Sequence, residues 1–85
     1  MRTIEIQLFG ALREAEPSAR FAVESAATHV GQLRKELAVA VAAWPPQARA
    51  LLPRSAFASA TTVLRDADRL PEDGRLALLP PVSGG

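Results

Sequence analysis

The chain has no cysteine and no tyrosine, and only one histidine, one lysine and one tryptophan in 85 residues. Without cysteine there is neither a disulfide framework nor a thiolate metal site, and no side-chain sulfur nucleophile. His29, standing alone, builds neither a histidine metal cluster nor a histidine-based catalytic relay. Aromatic residues reach only 5%, which excludes a base-stacking platform. The formal net charge is +1, with arginines scattered from Arg2 to Arg75 and no basic stripe, so nucleic acid is not an expected partner. The longest apolar run, Leu37 to Trp44, is far too short to span a bilayer. Alternating polarity in Thr3-Ile4-Glu5-Ile6-Gln7 interrupts any signal-peptide core. No membrane partner is expected, and the cytoplasm is the expected location.

What is present fits a folded chain: 48% hydrophobic and 22% charged residues. This length predicts one small domain that buries roughly 60–65% of its unfolded surface, with little room for a deep substrate pocket. Any sulfur or acyl chemistry must then come from somewhere other than a side-chain constellation.

Ile4, Ile6 and Leu8 alternate with Glu5 and Gln7, the period of a half-buried strand. Phe9 falls by parity on the polar face, as an edge filler or part of a contact patch. Ala19 to Ser25 is a weaker strand candidate, with Phe21 and Val23 on one side. Val30, Leu33, Leu37, Val41 and Trp44 recur at helical spacing, predicting a helix that Pro45-Pro46 ends. Thr28 or His29 is the candidate cap of its start, His29 as the cap places Gln32 at the capping-box position, and Trp44 reads as a core lid. A short helical turn is expected over Gln47 to Leu52. Phe57 to Leu64 reads as a strand, Leu70 to Gly74 as a turn, and Arg75 to Leu79 as the closing strand. Leu76 and Leu78 share one face of it, and Leu79 lies on the other. This order predicts an α+β domain over residues 1–79, a mixed sheet packed on one main helix.

The sequence then ends in Pro80-Pro81-Val82-Ser83-Gly84-Gly85. Paired prolines hold φ near about −65° and favour an extended course. Six residues at about 3.3 Å each reach roughly 20 Å. Glycine lacks a Cβ and leaves its carbonyl carbon unshielded. Proline at the base and glycine at the tip predict a stiff, slender arm over 80–85, suited to a narrow slot in another protein. Fraying, the commonplace state of a chain end, does not account for that order.

Leu8-Phe9-Gly10-Ala11-Leu12-Arg13-Glu14, Val30-Gly31-Gln32-Leu33-Arg34 and Leu70 to Gly85 together resemble the β-grasp, ubiquitin-like sulfur carriers. The nearest resemblance is to the small-subunit family of molybdopterin synthase. It covers nearly the whole chain, with a poor match over residues 45 to 56. Ser59-Ala60 stand where that family usually has Val-Asn, Asp73-Gly74-Arg75 where it has Asp-Gly-Asp, and Leu78-Leu79 where aromatics are common.

The resemblance implies a role for each of these residues. An α-carboxyl ionises near ~3.5, so an anionic Gly85 is a poor electrophile until activated. A ubiquitin-activating-type adenylyltransferase would use ATP to adenylate Gly85. A sulfur donor protein would then supply persulfide sulfur, leaving a C-terminal thiocarboxylate. The arm, with Pro80, Pro81, Val82, Ser83 and Gly84 leading to Gly85, would enter the large subunit of molybdopterin synthase. There it would donate sulfur to cyclic pyranopterin monophosphate. Phe9, Val63 and Leu79 would form an apolar dock for that subunit, and Arg13 a polar contact beside it. By the resemblance, two small and two large subunits assemble; no bound cofactor or metal is implied. Parity alone makes Phe9 and Leu79 exposed apolar candidates but does not separate Val63 from core. Three other readings stand beside this one: a carrier for thiazole or cysteine biosynthesis, a protein modifier conjugated through Gly85, and an interaction module with an idle diglycine.

Overall fold

The alternation at the start of the chain becomes β1 (Arg2–Leu8), with Ile4, Ile6 and Leu8 buried and Thr3, Glu5 and Gln7 exposed. The computed structural model describes residues 1–81. β2 (Arg20–Ser25) pairs antiparallel with β1, and β5 (Arg75–Leu79) lies parallel to β1 on its other side. β3 (Ala56–Ala58) joins the far side of β5, and β4 (Val63–Leu64) closes the edge, giving the order β2-β1-β5-β3-β4. A parallel pair cannot be joined by a tight turn, so the chain crosses over between β2 and β3 through its helices.

That crossover contains α1 (Val30–Ala40), which lays Val30, Leu33 and Leu37 against the inner face of the sheet. Facing them are Ile4, Ile6, Leu8, Phe57, Leu76 and Leu78, while Leu12, Val41, Trp44, Leu52 and Leu70 close the rim. The result is the expected β-grasp architecture, a mixed five-stranded sheet with α1 as its main helix. At the helix start, the Gln32 side-chain oxygen accepts the backbone N–H of His29 at 3.1 Å. The Val30 and Gly31 N–H groups, which no helical carbonyl can serve, donate to Asp68 and Asp66 carbonyls at 3.0 and 2.9 Å.

Two expectations are corrected. The helix stops at Ala40, before the prolines, with Val41 at φ −98° and ψ 22°. Pro45 disfavours helical angles at Trp44, and the chain tightens into turns one residue after another. Trp44 still acts as a core lid: it is buried, its ring meets Phe21 edge-on at 5.6 Å, and its Nε1–H donates to Glu16 at 3.2 Å. The residues from Phe57 to Leu64 form two short antiparallel strands instead of one. Ser59 causes the reversal: its N–H donates to the Thr62 carbonyl at 2.8 Å, and its hydroxyl accepts from the Thr61 and Thr62 N–H groups. A serine side chain does here what Gly or Pro does in more recognisable turns. The helical turn expected after the prolines is α2 (Pro46–Leu51), followed by a 3-10 turn over Leu52–Arg54.

Arg34 ties these pieces together from α1. Its Nη1 donates to the carbonyls of Leu52 and Ser55 at 3.0 and 2.8 Å, and its Nη2 bonds Asp66 at 3.0 Å. The guanidinium carbon also sits 5.1 Å from the centre of the Phe57 ring. The turn before β5 follows the sequence closely: Gly74 has φ +69° and donates its N–H to Pro71.

Candidate functional site

The outer face of the sheet follows from strand register. Gln7 is paired with Arg20 on one side and Ala77 on the other, Ala77 with Ala58, and Ala58 with Val63. One row therefore crosses all five strands on the face away from α1, polar at the β2 end and apolar at the β4 end. Leu79 belongs to the same face and is paired with Ala56. Phe9 is extended, at φ −124° and ψ 161°, so the alternation of β1 carries it to this face beside the end of β5.

Phe9, Val63 and Leu79, separated by up to 70 residues in sequence, thus share a surface with Ala56, Ala58 and Ala77. Phe9 is 37% exposed and Val63 61%. Three alanines between them make the patch shallow. Only register separates Val63 from core: its neighbour Leu64 pairs with buried Phe57, so Val63 points outward. Strand parity places Ala77 on the face of Leu79 from sequence alone, whereas Ala56 and Ala58 were missed because their short side chains carry little hydropathy signal. Arg13 lies at the same end of the sheet, exposed in the 3-10 turn Gly10–Glu14 that follows Phe9.

The polar half is different in kind. Thr3 donates to Glu24 at 2.8 Å, and Arg75 lies 3.7 Å from Glu5 as an exposed pair. An open groove of about 590 Å³ covers it, lined by Glu5, Gln7, Arg20, Phe21, Ala22 and Arg75 among others. Its lining has no serine, threonine, cysteine or histidine, so it brings no nucleophile–base pair together. Among the described residues no three His, Cys, Asp or Glu side chains are placed to hold a metal ion. No helix among them is long and apolar enough to cross a membrane.

β5 ends at Leu79, so the chain passes from the apolar patch straight into Pro80 and Pro81, both half-buried. These two prolines lie against the fold. The expectations for Val82, Ser83, Gly84 and Gly85 lie outside the described residues.

The comparisons with known proteins agree on one architecture. SAMP1 of Haloferax volcanii superposes with a TM-score of 0.68 at 24% identity, over 99% of this chain and all of the other. A chain from the complex of subunits 1 and 2 of the molybdopterin-converting factor of Helicobacter pylori gives 0.63 at 24% identity, with the same coverage. No curated protein matches by sequence. At this identity the two likenesses speak for the fold. The sequence profile of the ThiS family matches residues 6–85, which takes in β1 from Ile6, the apolar patch and the diglycine. On that match, the chain belongs to the ThiS family of ubiquitin-like sulfur carriers.

Proposed function

We propose that the protein carries sulfur as a thiocarboxylate on Gly85 and delivers it inside the large subunit of a molybdopterin synthase. The observation that carries this reading is the family match running through Gly84-Gly85, taken with a chain path that leads from the patch into Pro80-Pro81. Adenylation by a ubiquitin-activating-type enzyme turns a resonance-stabilised carboxylate into an acyl group with AMP as leaving group. The terminal sulfur of a donor-protein persulfide then displaces AMP to give an acyl disulfide, and a donor thiol cleaves its S–S bond, releasing the thiocarboxylate and leaving a disulfide on the donor. The thiocarboxylate is ionised and soft, which suits it to attack the pterin precursor. This chain supplies the reacting group, while acid–base residues and the substrate pocket come from the partner. Support for the molybdopterin role comes from the Helicobacter complex of two converting-factor subunits.

Intact mass spectrometry tests the loading step. Incubation with the activating enzyme, ATP and a sulfur source should exchange one oxygen of the chain for sulfur. A species confined to the unmodified mass, beside a control carrier that loads, would refute the reading. Copurification then separates the acceptors: a pterin-binding subunit supports the molybdopterin role, whereas thiazole or cysteine biosynthetic partners assign the same chemistry to another pathway.

The dock makes its own prediction. Val63→Asp places a charge in the apolar patch, at a position exposed enough that stability should move by no more than about 0.5 kcal/mol. Desolvating that carboxylate against an apolar partner should weaken binding of the large subunit by roughly 10–100-fold. Titration calorimetry reads both the affinity and its heat. Unchanged affinity would place the partner on another face.

A further inference from the structure

Gly10 has φ +56°, and a Cβ built on it would lie 2.8 Å from Cγ of Pro80 and 3.6 Å from its Cδ. Real carbon atoms do not approach to 2.8 Å, so the Pro80 ring rests directly on the bare α-carbon of Gly10. The register explains how they meet. Leu8 is paired with Leu78 in the parallel ladder, which brings Phe9 beside Leu79 and Gly10 beside Pro80. At that level both strands end together. The left-handed turn at Gly10 sends β1 off into the 3-10 helix Gly10–Glu14, and Pro80, with no N–H, ends the ladder from β5.

We infer that Gly10 is a positioning residue: its missing side chain forms a seat for the Pro80 ring, and that seat sets the direction in which the arm leaves the sheet. A proline has a rigid ring and a fixed φ, so fixing the ring fixes the heading of the next peptide bonds. The five residues beyond Pro80 span at most about 18 Å, and a small angular change at the base becomes several ångströms at the tip. Delivery into a narrow slot is sensitive to displacements of about 1 Å. This inference rests on the sulfur-carrier reading for its consequence, though not for the seat itself.

Two variants address it. Gly10→Asn keeps a residue that enters the left-handed region readily while adding the Cβ that meets Pro80. Pro80→Ala empties the seat and leaves Gly10 intact. The chain has no cysteine, so a nitroxide on Ser83→Cys is a single probe of the arm. Paramagnetic broadening of backbone amides should map to one cluster in the parent, move in Gly10→Asn and spread in Pro80→Ala. In sulfur transfer from loaded carrier to the large subunit, kcat should fall about tenfold in both variants. KM should hold within about twofold, since Phe9, Val63 and Leu79 are untouched. Unchanged broadening overturns the seat, even where the thermal midpoint drops, because ordinary packing loss does not steer the arm. Broadening that moves with an unaltered kcat overturns its role in delivery. A parent chain that never loads sulfur, with broadening that still moves, leaves the seat standing and sinks the carrier reading.

Discussion

A chain prolonged by one alanine after Gly85 should take up no sulfur and support no transfer, while its thermal midpoint and its affinity for the large subunit stay unchanged. Adenylation needs a carboxylate oxygen to attack the α-phosphorus of ATP. In the prolonged chain the Gly85 carbonyl is part of an amide, whose nitrogen is a poor leaving group and whose oxygen is a weak nucleophile. The new terminal carboxylate belongs to a residue with a Cβ and lies one position beyond Gly85. The loss should therefore be complete by intact mass, not partial. Val63 and Leu79 lie on β4 and β5 and Phe9 directly follows β1, none of which the addition touches, so binding serves as the internal control. A plain interaction module would keep all of its function under this change. Sulfur loading that survives the extension would remove the terminus from the chemistry.

Phe57→Ala should remove a large share of the domain's stability. Phe57 is fully buried on the short strand β3 and is the largest of the fully buried side chains. Truncating a buried phenylalanine costs about 3–5 kcal/mol, combining lost transfer energy with the cavity left behind. A domain of 85 residues has on the order of 4–13 kcal/mol in total. The same ring is the surface on which the Arg34 guanidinium rests, so its loss also loosens the residue that holds Leu52, Ser55 and Asp66 together. Because β3 pairs directly with β5, the damage reaches the strand that launches the arm. Urea denaturation should show the midpoint falling by at least about a quarter, and by about half for a domain of mid-range stability. A loss below about 1 kcal/mol would mean that the cavity collapses without cost, and that Arg34 does not depend on the ring.

Much of the β-grasp was readable residue by residue. The period-two alternation of Ile4, Ile6 and Leu8 and the helical stripe from Val30 to Leu37 are local consequences of which side chains avoid water. Pro71 and Gly74 mark their turn because φ preferences are properties of single residues. Where the reading failed, competing local signals were hidden. Val41 and Trp44 continue the buried stripe after the helix has ended, since burial constrains a side chain without requiring helical angles. Ser59 turns the chain through side-chain hydrogen bonds that composition does not advertise.

By itself the order of amino acids determined the apolar pattern, the proline and glycine positions, and the absence of any side-chain set able to handle sulfur. Those depend on one residue or on near neighbours. Only the folded arrangement decided that Val63 faces outward with Leu79 and Phe9, and that Gly10 lies under Pro80. Both follow from register between strands far apart in the chain. A shift of one residue would turn every side chain to the opposite face, and no local preference records that choice.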